Sequence, residues 1–93
     1  MYKITNYTRK KASKLGVFVK HSTNKTKKID VFSVKSGEKL ASVGANGMND
    51  YPTFMEKKGI TYANKRRKLY KQRHEKDRHF KGTKGWYADQ LLW

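Results

Sequence analysis

The sequence predicts a small α+β protein, in which an antiparallel β-meander of three or four strands precedes a basic helix and a short C-terminal helix. Two differently composed halves support this fold class. Residues 1–43 contain short β-branched and aromatic segments separated by polar turns, which is typical of strands. Residues 50–93 contain helix-capping signals and a long stretch without glycine or proline, which is typical of helices. A length of 93 residues predicts a single domain.

Four segments of the first half have the composition of strands. They span residues 2–8, 15–21, 29–34 and 39–43. The turn signal at residues 35–38 predicts a hairpin between the last two segments. Apolar side chains in residues 29–34 alternate onto both faces, so we expect this strand to be buried from two sides. The lysine-rich residues 9–14 and 22–28 are expected to be exposed connections.

The change from strand to helix falls in the glycine-punctuated residues 44–50, with glycines at 44 and 47. Glycines there permit a tight turn, and the alternative is a phosphate-binding nest. Asp50 is expected to cap a first helix, with Pro52 in its first turn and Gly59 at its end.

A second helix is expected to begin with Thr61 as its cap and to run to about His79, since no glycine or proline interrupts it. Gly82 and Gly85 then break the helical pattern. Residues 86–93 are expected to form the short C-terminal helix.

The chain is strongly basic along its whole length. It has 23 Lys and Arg against 7 Asp and Glu, which gives a formal net charge of +16, and both halves carry the excess. Self-repulsion at this charge destabilises the compact state unless a counter-charge is near. We therefore expect an anionic partner, which is nucleic acid, an acidic protein surface or an anionic membrane.

The second helix contains the candidate anion-binding residues. Residues 64–68 have the composition of a nucleic-acid or nuclear-import patch. Because side chains three and four positions apart are neighbours on a helix, Lys65 and Lys68 form one row and Arg67 and Lys71 another. The alternative is a solvated helix face without a partner. The candidates are Lys65, Arg66, Arg67, Lys68, Lys71, Arg73, His74, Lys76 and Arg78.

A narrow apolar stripe on the same helix is formed by Tyr62, Leu69 and Tyr70, which lie at positions i, i+7 and i+8. This spacing favours packing in the core. The alternative for the aromatic members is stacking on nucleic-acid bases.

The C-terminal segment is unusually apolar for the end of a chain, with Trp86, Leu91, Leu92 and Trp93. Burial stabilises each large apolar side chain by roughly 1.5–3 kcal/mol, so the segment is either a core element or an anchor at an interface. We expect Trp86 and at least one of Leu92 and Trp93 to pack against Tyr62 and Leu69 or against the strand face that carries Phe32.

Metal and thiol chemistry have little support in the sequence. Cysteine is absent, which excludes disulfides, thiolate metal sites and cysteine nucleophiles. On a helix, His74 and His79 would point about 140° apart, so we expect no metal site there. Both are expected to interact with Glu75, Asp77 or a phosphate instead.

Several functional classes are disfavoured by the rest of the sequence. The seven acidic residues are scattered and mostly flanked by Lys or Arg, so we expect no enzymatic activity and no cofactor. No apolar run approaches the roughly 20 residues of a membrane-spanning helix. Residues 1–7 lack the apolar stretch of a secretory signal, so we expect no secretion.

Four short patterns occur together in the second half of the chain. They are Gly-x-x-Gly-x-x-Asp-Tyr within residues 42–51, Arg-x-x-Tyr-x-x-Arg-His within residues 65–74, Gly-Trp-Tyr-Ala at residues 85–88 and Leu-Leu-Trp at residues 91–93. Through them, residues 42–93 resemble a family of short basic proteins of large phycodnavirus-like and mimivirus-like DNA viruses of algae and protists. That family has no established biochemical activity, so the resemblance implies a viral context and no mechanism.

Two functions are therefore expected as alternatives. The first is a structural virion component, a minor capsid or internal protein that bridges acidic surfaces of larger proteins, which the aromatic C-terminal segment favours. The second is a non-specific nucleic-acid-binding protein that acts in DNA packaging or in the host nucleus, which the net charge of +16 favours. The expected location is the virion, or alternatively the host nucleus or cytoplasm.

Overall fold

The computed structural model describes residues 2–93 and has the predicted α+β fold. Its elements, in chain order, are α1 (Asn6–Leu15), β1 (Val17–His21), β2 (Lys27–Ser33), β3 (Lys39–Ala45), α2 (Tyr51–Lys58), α3 (Ile60–Arg73) and α4 (Lys84–Leu92). The three strands form one antiparallel sheet in the order β1-β2-β3, which confirms the meander. Within residues 2–93, none of the helices combines the length and apolar character needed to cross a membrane.

The first element is a helix, so the strand predicted for residues 2–8 is wrong. The Thr5 hydroxyl oxygen accepts a hydrogen bond from the Thr8 backbone N–H at 3.3 Å and caps α1. Gly16 ends the helix in the left-handed conformation, with φ of 73°. Thr8 and Ala12, one turn apart, are both buried. The lysine-rich segment after Thr8 is therefore the outer side of an amphipathic helix and not an exposed connection.

The strands pair in a fixed register. Val19 of β1 is paired with Val31 of β2, and Val31 is paired on its other side with Ala41 of β3. The hairpin predicted at residues 35–38 is confirmed, and it is closed by a 2.9 Å hydrogen bond from the Ser33 N–H to the Glu38 carbonyl. The connection before β2 is shorter than predicted, because the ladder already includes residue 27.

One face of the sheet forms the main core. Ile29 and Val31 of β2 are fully buried and belong to the same cluster as Leu91 and Leu92 of α4. Helices α1 and α4 contact the sheet and each other over this face. At about 25 cal/mol per Å² of apolar area, burial of these side chains is the main stabilising contribution.

The opposite face of the sheet is covered at Lys28 and Asp30, which are 4% and 2% exposed, and is open toward Phe32, so β2 is buried from two sides over only part of its length. Phe18 and Phe32, directly paired across β1 and β2, lie on this face. Phe18 is 36% exposed, and Val34 just beyond β2 is 63% exposed. The physical reason is that α1 and α4 both lie against the face of Val31, and no helix of residues 2–93 covers Phe18 and Phe32 on the other face.

Asp50 caps α2 as predicted and also joins three parts of the chain. Its carboxylate accepts hydrogen bonds from the Thr53 N–H at 3.1 Å, the Lys28 ammonium at 3.0 Å and the Tyr2 hydroxyl at 2.6 Å. Asp50 is 1% exposed and Lys28 is 4% exposed. Burial, followed by the hydrogen bond to Asp50, raises the pKa of Tyr2. Because a buried ion pair that loses one partner costs about 3–5 kcal/mol, this cluster fixes α2 against the sheet.

Helices α2 and α3 form a hairpin around Gly59. Tyr51 and Phe54 of α2 pack on Ala63 of α3 in a second buried cluster, and Trp93 packs against it. Thr61 is not the cap of α3, because the Gly59 carbonyl already accepts the Ala63 N–H and the helix begins at residue 60.

The end of α3 also differs from the prediction. The helix ends at Arg73, and residues 74–79 form turns instead of continuing to His79. These turns bring the chain back so that α4 packs closely against them: a Cβ on Gly85 would lie 3.2 Å from the Asp77 carbonyl oxygen. Tertiary packing therefore overrides a local sequence that is compatible with a helix.

The C-terminal segment is a core element. Leu91 and Leu92 are 0% and 1% exposed, and Trp86 and Trp93 are half-buried against the cores. The Leu91 carbonyl accepts a 2.9 Å hydrogen bond from the Thr8 hydroxyl. The predicted docking is confirmed, but the predicted partners are wrong. The leucines pack on the sheet face opposite to Phe32, because α1 and α4 cover that face together.

Candidate anion-binding cleft

Helix α3 directs its basic side chains in three directions, since 3.6 residues complete one turn. The first group consists of Arg67, which contacts Tyr51 of α2, and Lys71, which contacts Asp89 of α4. The second points toward β3 and the start of α4 and includes Arg66 and Arg73. The third is the outer face of the helix. The nine predicted anion-binding residues are therefore not one surface.

Two of the nine stabilise the fold through ion pairs. The Lys71 ammonium lies 2.7 Å from the carboxylate of Asp89, and the Arg78 guanidinium lies 3.6 Å from it. Asp89 is 3% exposed, so both cations neutralise a buried charge. Arg78 also lies 2.7 Å from the carboxylate of Glu75. Their charges are therefore already compensated within the chain.

Arg67 has a structural contact of another kind. Its guanidinium carbon lies 4.0 Å from the ring centroid of Tyr51, and one of its nitrogens donates to Asn64 at 3.4 Å. The Tyr51 hydroxyl donates to the same Asn64 oxygen at 2.8 Å. This cation–π contact helps to hold the α2–α3 hairpin together.

The second group lines a cleft of about 440 Å³ between β3, α3 and α4. We call it the basic cleft. Its rim carries Lys27, Arg66, Arg73, His74 and Lys84, and its floor consists of Gly44, Phe54, Tyr70, Leu92 and Trp93. The acidic residue among the lining side chains is Asp77, which lies near His74 and has no Lys or Arg partner within residues 2–93. Four of the rim cations, namely Lys27, Arg66, Arg73 and Lys84, have no carboxylate within 4 Å among residues 2–93.

Arg66 is the most constrained cation of the rim. Its guanidinium carbon lies 5.4 Å from the ring centroid of Phe54. Its Nε is buried and has no hydrogen-bond partner within residues 2–93. A buried donor without a partner is costly in a protein, so this guanidinium would gain from donating a hydrogen bond to an anionic oxygen.

The floor of the basic cleft is a stack of aromatic rings. Tyr70 and Trp93 are parallel to within 7°, with ring centroids 4.3 Å apart, and the His74 ring lies 4.4 Å from Tyr70. Burial, followed by the charge of Asp89, raises the pKa of Tyr70 to about 12. Its hydroxyl is therefore a neutral hydrogen-bond donor at physiological pH. Apolar walls of this kind strengthen the attraction between the rim cations and an anion.

The outer face of α3 carries Lys65 and Lys68, and Lys76 follows in the turns after the helix; all three are exposed and outside any ion pair of the described residues. Tyr62 and Leu69 are exposed on α3 as well, at 41% and 44%. Core packing is therefore wrong for these two members of the apolar stripe and right for Tyr70, which is 9% exposed. The reason is that α3 packs on the rest of the chain through Ala63 and Tyr70.

Most of the positive charge of the chain remains uncompensated. Within residues 2–93, four of the 23 Lys and Arg side chains lie within 4 Å of a carboxylate: Lys28, Lys39, Lys71 and Arg78. These four cations neutralise three buried acidic residues, namely Asp30, Asp50 and Asp89. Three of the seven acidic residues are therefore buried, whereas the unpaired cations are mostly exposed and outnumber the four exposed acidic residues, which suits a polyanionic partner.

The histidines have the polar partners that the sequence predicts. His79 Nε2 lies 2.9 Å from the Glu75 carboxylate, and His74 Nδ1 lies 3.7 Å from that of Asp77. Among residues 2–93 no group of three or more His, Asp and Glu side chains is arranged to hold a metal ion.

Sequence reasoning missed Lys27, Lys84 and Gly44 as parts of the basic cleft. Lys27 and Lys84 lie far from α3 in sequence, and no local pattern connects them with it. Gly44 was expected in a tight turn but lies inside β3, with φ of 83°. A Cβ there would lie 2.8 Å from Leu92 Cδ1, so glycine is what allows α4 to approach the strand.

No family model, no curated protein and no solved structure matches this chain. The resemblance to viral proteins therefore stays a prediction from the motifs of residues 42–93.

Proposed function

We propose that this protein binds nucleic acid without sequence preference, through backbone phosphates held at the rim of the basic cleft and on the outer face of α3. The observation that supports this proposal best is the convergence of Lys27, Arg66, Arg73 and Lys84 on one cleft without a carboxylate partner. Each phosphate neutralised by such a cation releases condensed counterions, which is the main source of non-specific affinity for nucleic acid.

The chemistry of the rim fits phosphate. Guanidinium groups form paired hydrogen bonds with phosphate oxygens, and Arg66 has a buried Nε without a partner. The neighbouring Arg73 and Lys84 are exposed and free to adjust to a flexible backbone. The proposal includes no catalytic step and no cofactor.

A second candidate is the bridging of acidic protein surfaces in a virion. It would use the same unpaired cations, but its expected anchor was the aromatic C-terminal segment. Leu91 and Leu92 are buried in the core of this chain, and Trp93 stacks on Tyr70. Because the anchor is occupied internally, charge is the stronger argument, and it favours nucleic acid.

The direct test is a titration of the isotope-labelled protein with a short DNA duplex of mixed sequence at low salt. The change in each amide chemical shift is measured by NMR during the titration. We expect the largest shifts at Arg66, Arg73 and Lys84 and small ones at Lys10 and Lys14 on α1. A matched titration with an acidic peptide is the control. Shifts of the cleft residues by the peptide and not by the duplex would replace the proposal with the protein-bridging role.

A further inference from the structure

The open face of the sheet carries a pair of parallel aromatic rings. Phe18 and Phe32 are directly opposite each other on β1 and β2, with ring centroids 5.2 Å apart and planes 12° apart. Phe18 is 36% exposed. Isolated apolar side chains on a surface are ordinary, but two aligned rings on an uncovered strand pair form a flat platform.

The platform is surrounded by positive charge. The Lys20 ammonium lies 5.7 Å from the Phe18 ring centroid and 5.6 Å from that of Phe32. Lys39, whose side chain is 45% exposed, lies on the same face. Lys20, which has no carboxylate within 4 Å among residues 2–93, is within reach of an anionic chain that crosses β1 and β2.

The acidic residue of this face is concealed. Asp30 is 2% exposed, and its carboxylate accepts hydrogen bonds from the hydroxyls of Ser22 and Ser42, both at 2.6 Å. Lys39 lies 3.4 Å from it and compensates its charge. The surface that a ligand meets is therefore aromatic and cationic.

The positive charge of the protein also indicates which kind of partner can bind to the open face of the sheet. A second copy of the chain would bring another +16 to the interface, which opposes association of two open faces. A single-stranded nucleic acid supplies negative charge together with flat bases, and every base has a π-face that can stack on an aromatic ring. A duplex keeps its bases stacked internally and offers only phosphates.

We propose that the open sheet face binds single-stranded nucleic acid by stacking bases on Phe18 and Phe32, with Lys20 contacting an adjacent phosphate. This inference rests on the proposed nucleic-acid binding and adds a preference for unpaired strands. A base that stacks on either ring displaces the ammonium of Lys20, whose flexible side chain then reaches the phosphate.

The test compares three probes: a single-stranded oligothymidine of about 15 nucleotides, an abasic strand of the same length and a duplex. The variant carries Phe18→Leu and Phe32→Leu, which keep apolar side chains at both positions and remove the rings. Phe80→Leu is the matched control, because Phe80 is 64% exposed and lies outside the sheet. Far-UV circular dichroism and urea unfolding verify that all variants fold.

We expect the double variant to bind oligothymidine roughly tenfold more weakly for each base that stacks, with the affinities for the abasic strand and the duplex unchanged. Unchanged binding of oligothymidine by the folded double variant would overturn the inference. Wild-type protein that binds none of the three probes would refute the proposed function itself, which separates the two failures.

Photo-cross-linking of the wild-type protein to oligothymidine gives a second measurement that does not depend on the stability of a variant. Trypsin releases Phe18 and Phe32 in the peptides of residues 15–20 and 29–35. Cross-links in these two peptides support the inference, and cross-links confined to residues 64–79 contradict it.

Discussion

The ammonium of Lys71 lies 2.7 Å from the carboxylate of Asp89, and this ion pair joins α3 to α4. The carboxylate is 4% exposed, whereas the lysine side chain is 32% exposed. A cation that the sequence suggests as a ligand-binding group is therefore a structural group. The same helix thus contains cations that stabilise the fold and cations that remain free for a partner.

Replacement of Lys71 should reduce stability more than replacement of a neighbouring lysine. We expect Lys71→Gln to lower the free energy of unfolding by about 1–3 kcal/mol, because Asp89 loses its closest partner in a buried position. Lys68→Gln, on the exposed outer face, should change it by less than about 0.5 kcal/mol. Urea unfolding of both variants measures the difference, and equal midpoints would contradict the structural role of the pair.

Two leucines of the C-terminal half provide a test of the core. Leu91 is fully buried, and Leu69 on α3 is 44% exposed. We expect Leu91→Ala to cost about 2–5 kcal/mol, a large part of the stability of a small domain. Leu69→Ala should have little effect. Thermal unfolding checks this, and the core assignment of α4 fails if the two variants have the same melting temperature.

Sequence patterns predicted the hairpin of β2 and β3 and the cap of α2, because both depend on neighbouring residues such as Asp50. They failed at α1, where the cap of Thr5 and the burial of Ala12 outweigh the strand propensity of the residues around them. The division of the α3 cations was not predictable, because it depends on Asp89, which lies 18 residues after Lys71. The basic cleft likewise depends on the packing of α4 on β3.

A comparison of alanine substitutions at Gly44 and Gly47 distinguishes the cost of backbone strain from the cost of steric overlap. Both have positive φ, at 83° and 92°, so alanine strains the backbone at either position by roughly 1 kcal/mol or more. At Gly44 the new Cβ would also lie 2.8 Å from Leu92 and 3.2 Å from the Cβ of Lys28, whereas nothing lies within 4 Å at Gly47. Since Leu92 and Lys28 are buried, we expect Gly44→Ala to cost about 1–3 kcal/mol more than Gly47→Ala.

Chemical denaturation of the two glycine variants measures this difference. Comparable losses would show that α4 can move away from β3, which the tight approach of Leu92 to Gly44 argues against.

Asp30 makes stability depend on acidic pH. Burial alone would raise the pKa of Asp30, but the hydrogen bonds from Ser22, Ser42 and the Thr23 N–H, with the charge of Lys39, lower it from 3.8 to about 2. A folded-state pKa below the unfolded value stabilises the protein above pH 3.8, and this contribution is lost as the pH falls toward 2.

The replacement Asp30→Asn isolates this effect. We expect the difference in unfolding free energy between wild type and variant to be constant above about pH 5 and to shrink between pH 4 and pH 2. Urea midpoints across this range measure it. A difference that stays the same at pH 2 would mean that the carboxylate has an ordinary pKa.

The salt dependence of duplex binding tests the role of the basic cleft most directly. The variant carries Arg66→Gln, Arg73→Gln and Lys84→Gln, and a control with the same loss of charge carries Lys10→Gln, Lys14→Gln and Lys35→Gln on α1 and the β2–β3 turn. Fluorescence anisotropy gives the association constant at several salt concentrations. Each phosphate contact contributes about −0.9 to the slope of its logarithm against the logarithm of salt concentration.

We expect the cleft variant to flatten the slope by about 2–3 and the control variant by less than about 1, because phosphates are held at the cleft and not merely attracted by net charge. Equal flattening by the two variants, or a slope near zero for the wild type, would contradict the basic cleft as the nucleic-acid interface.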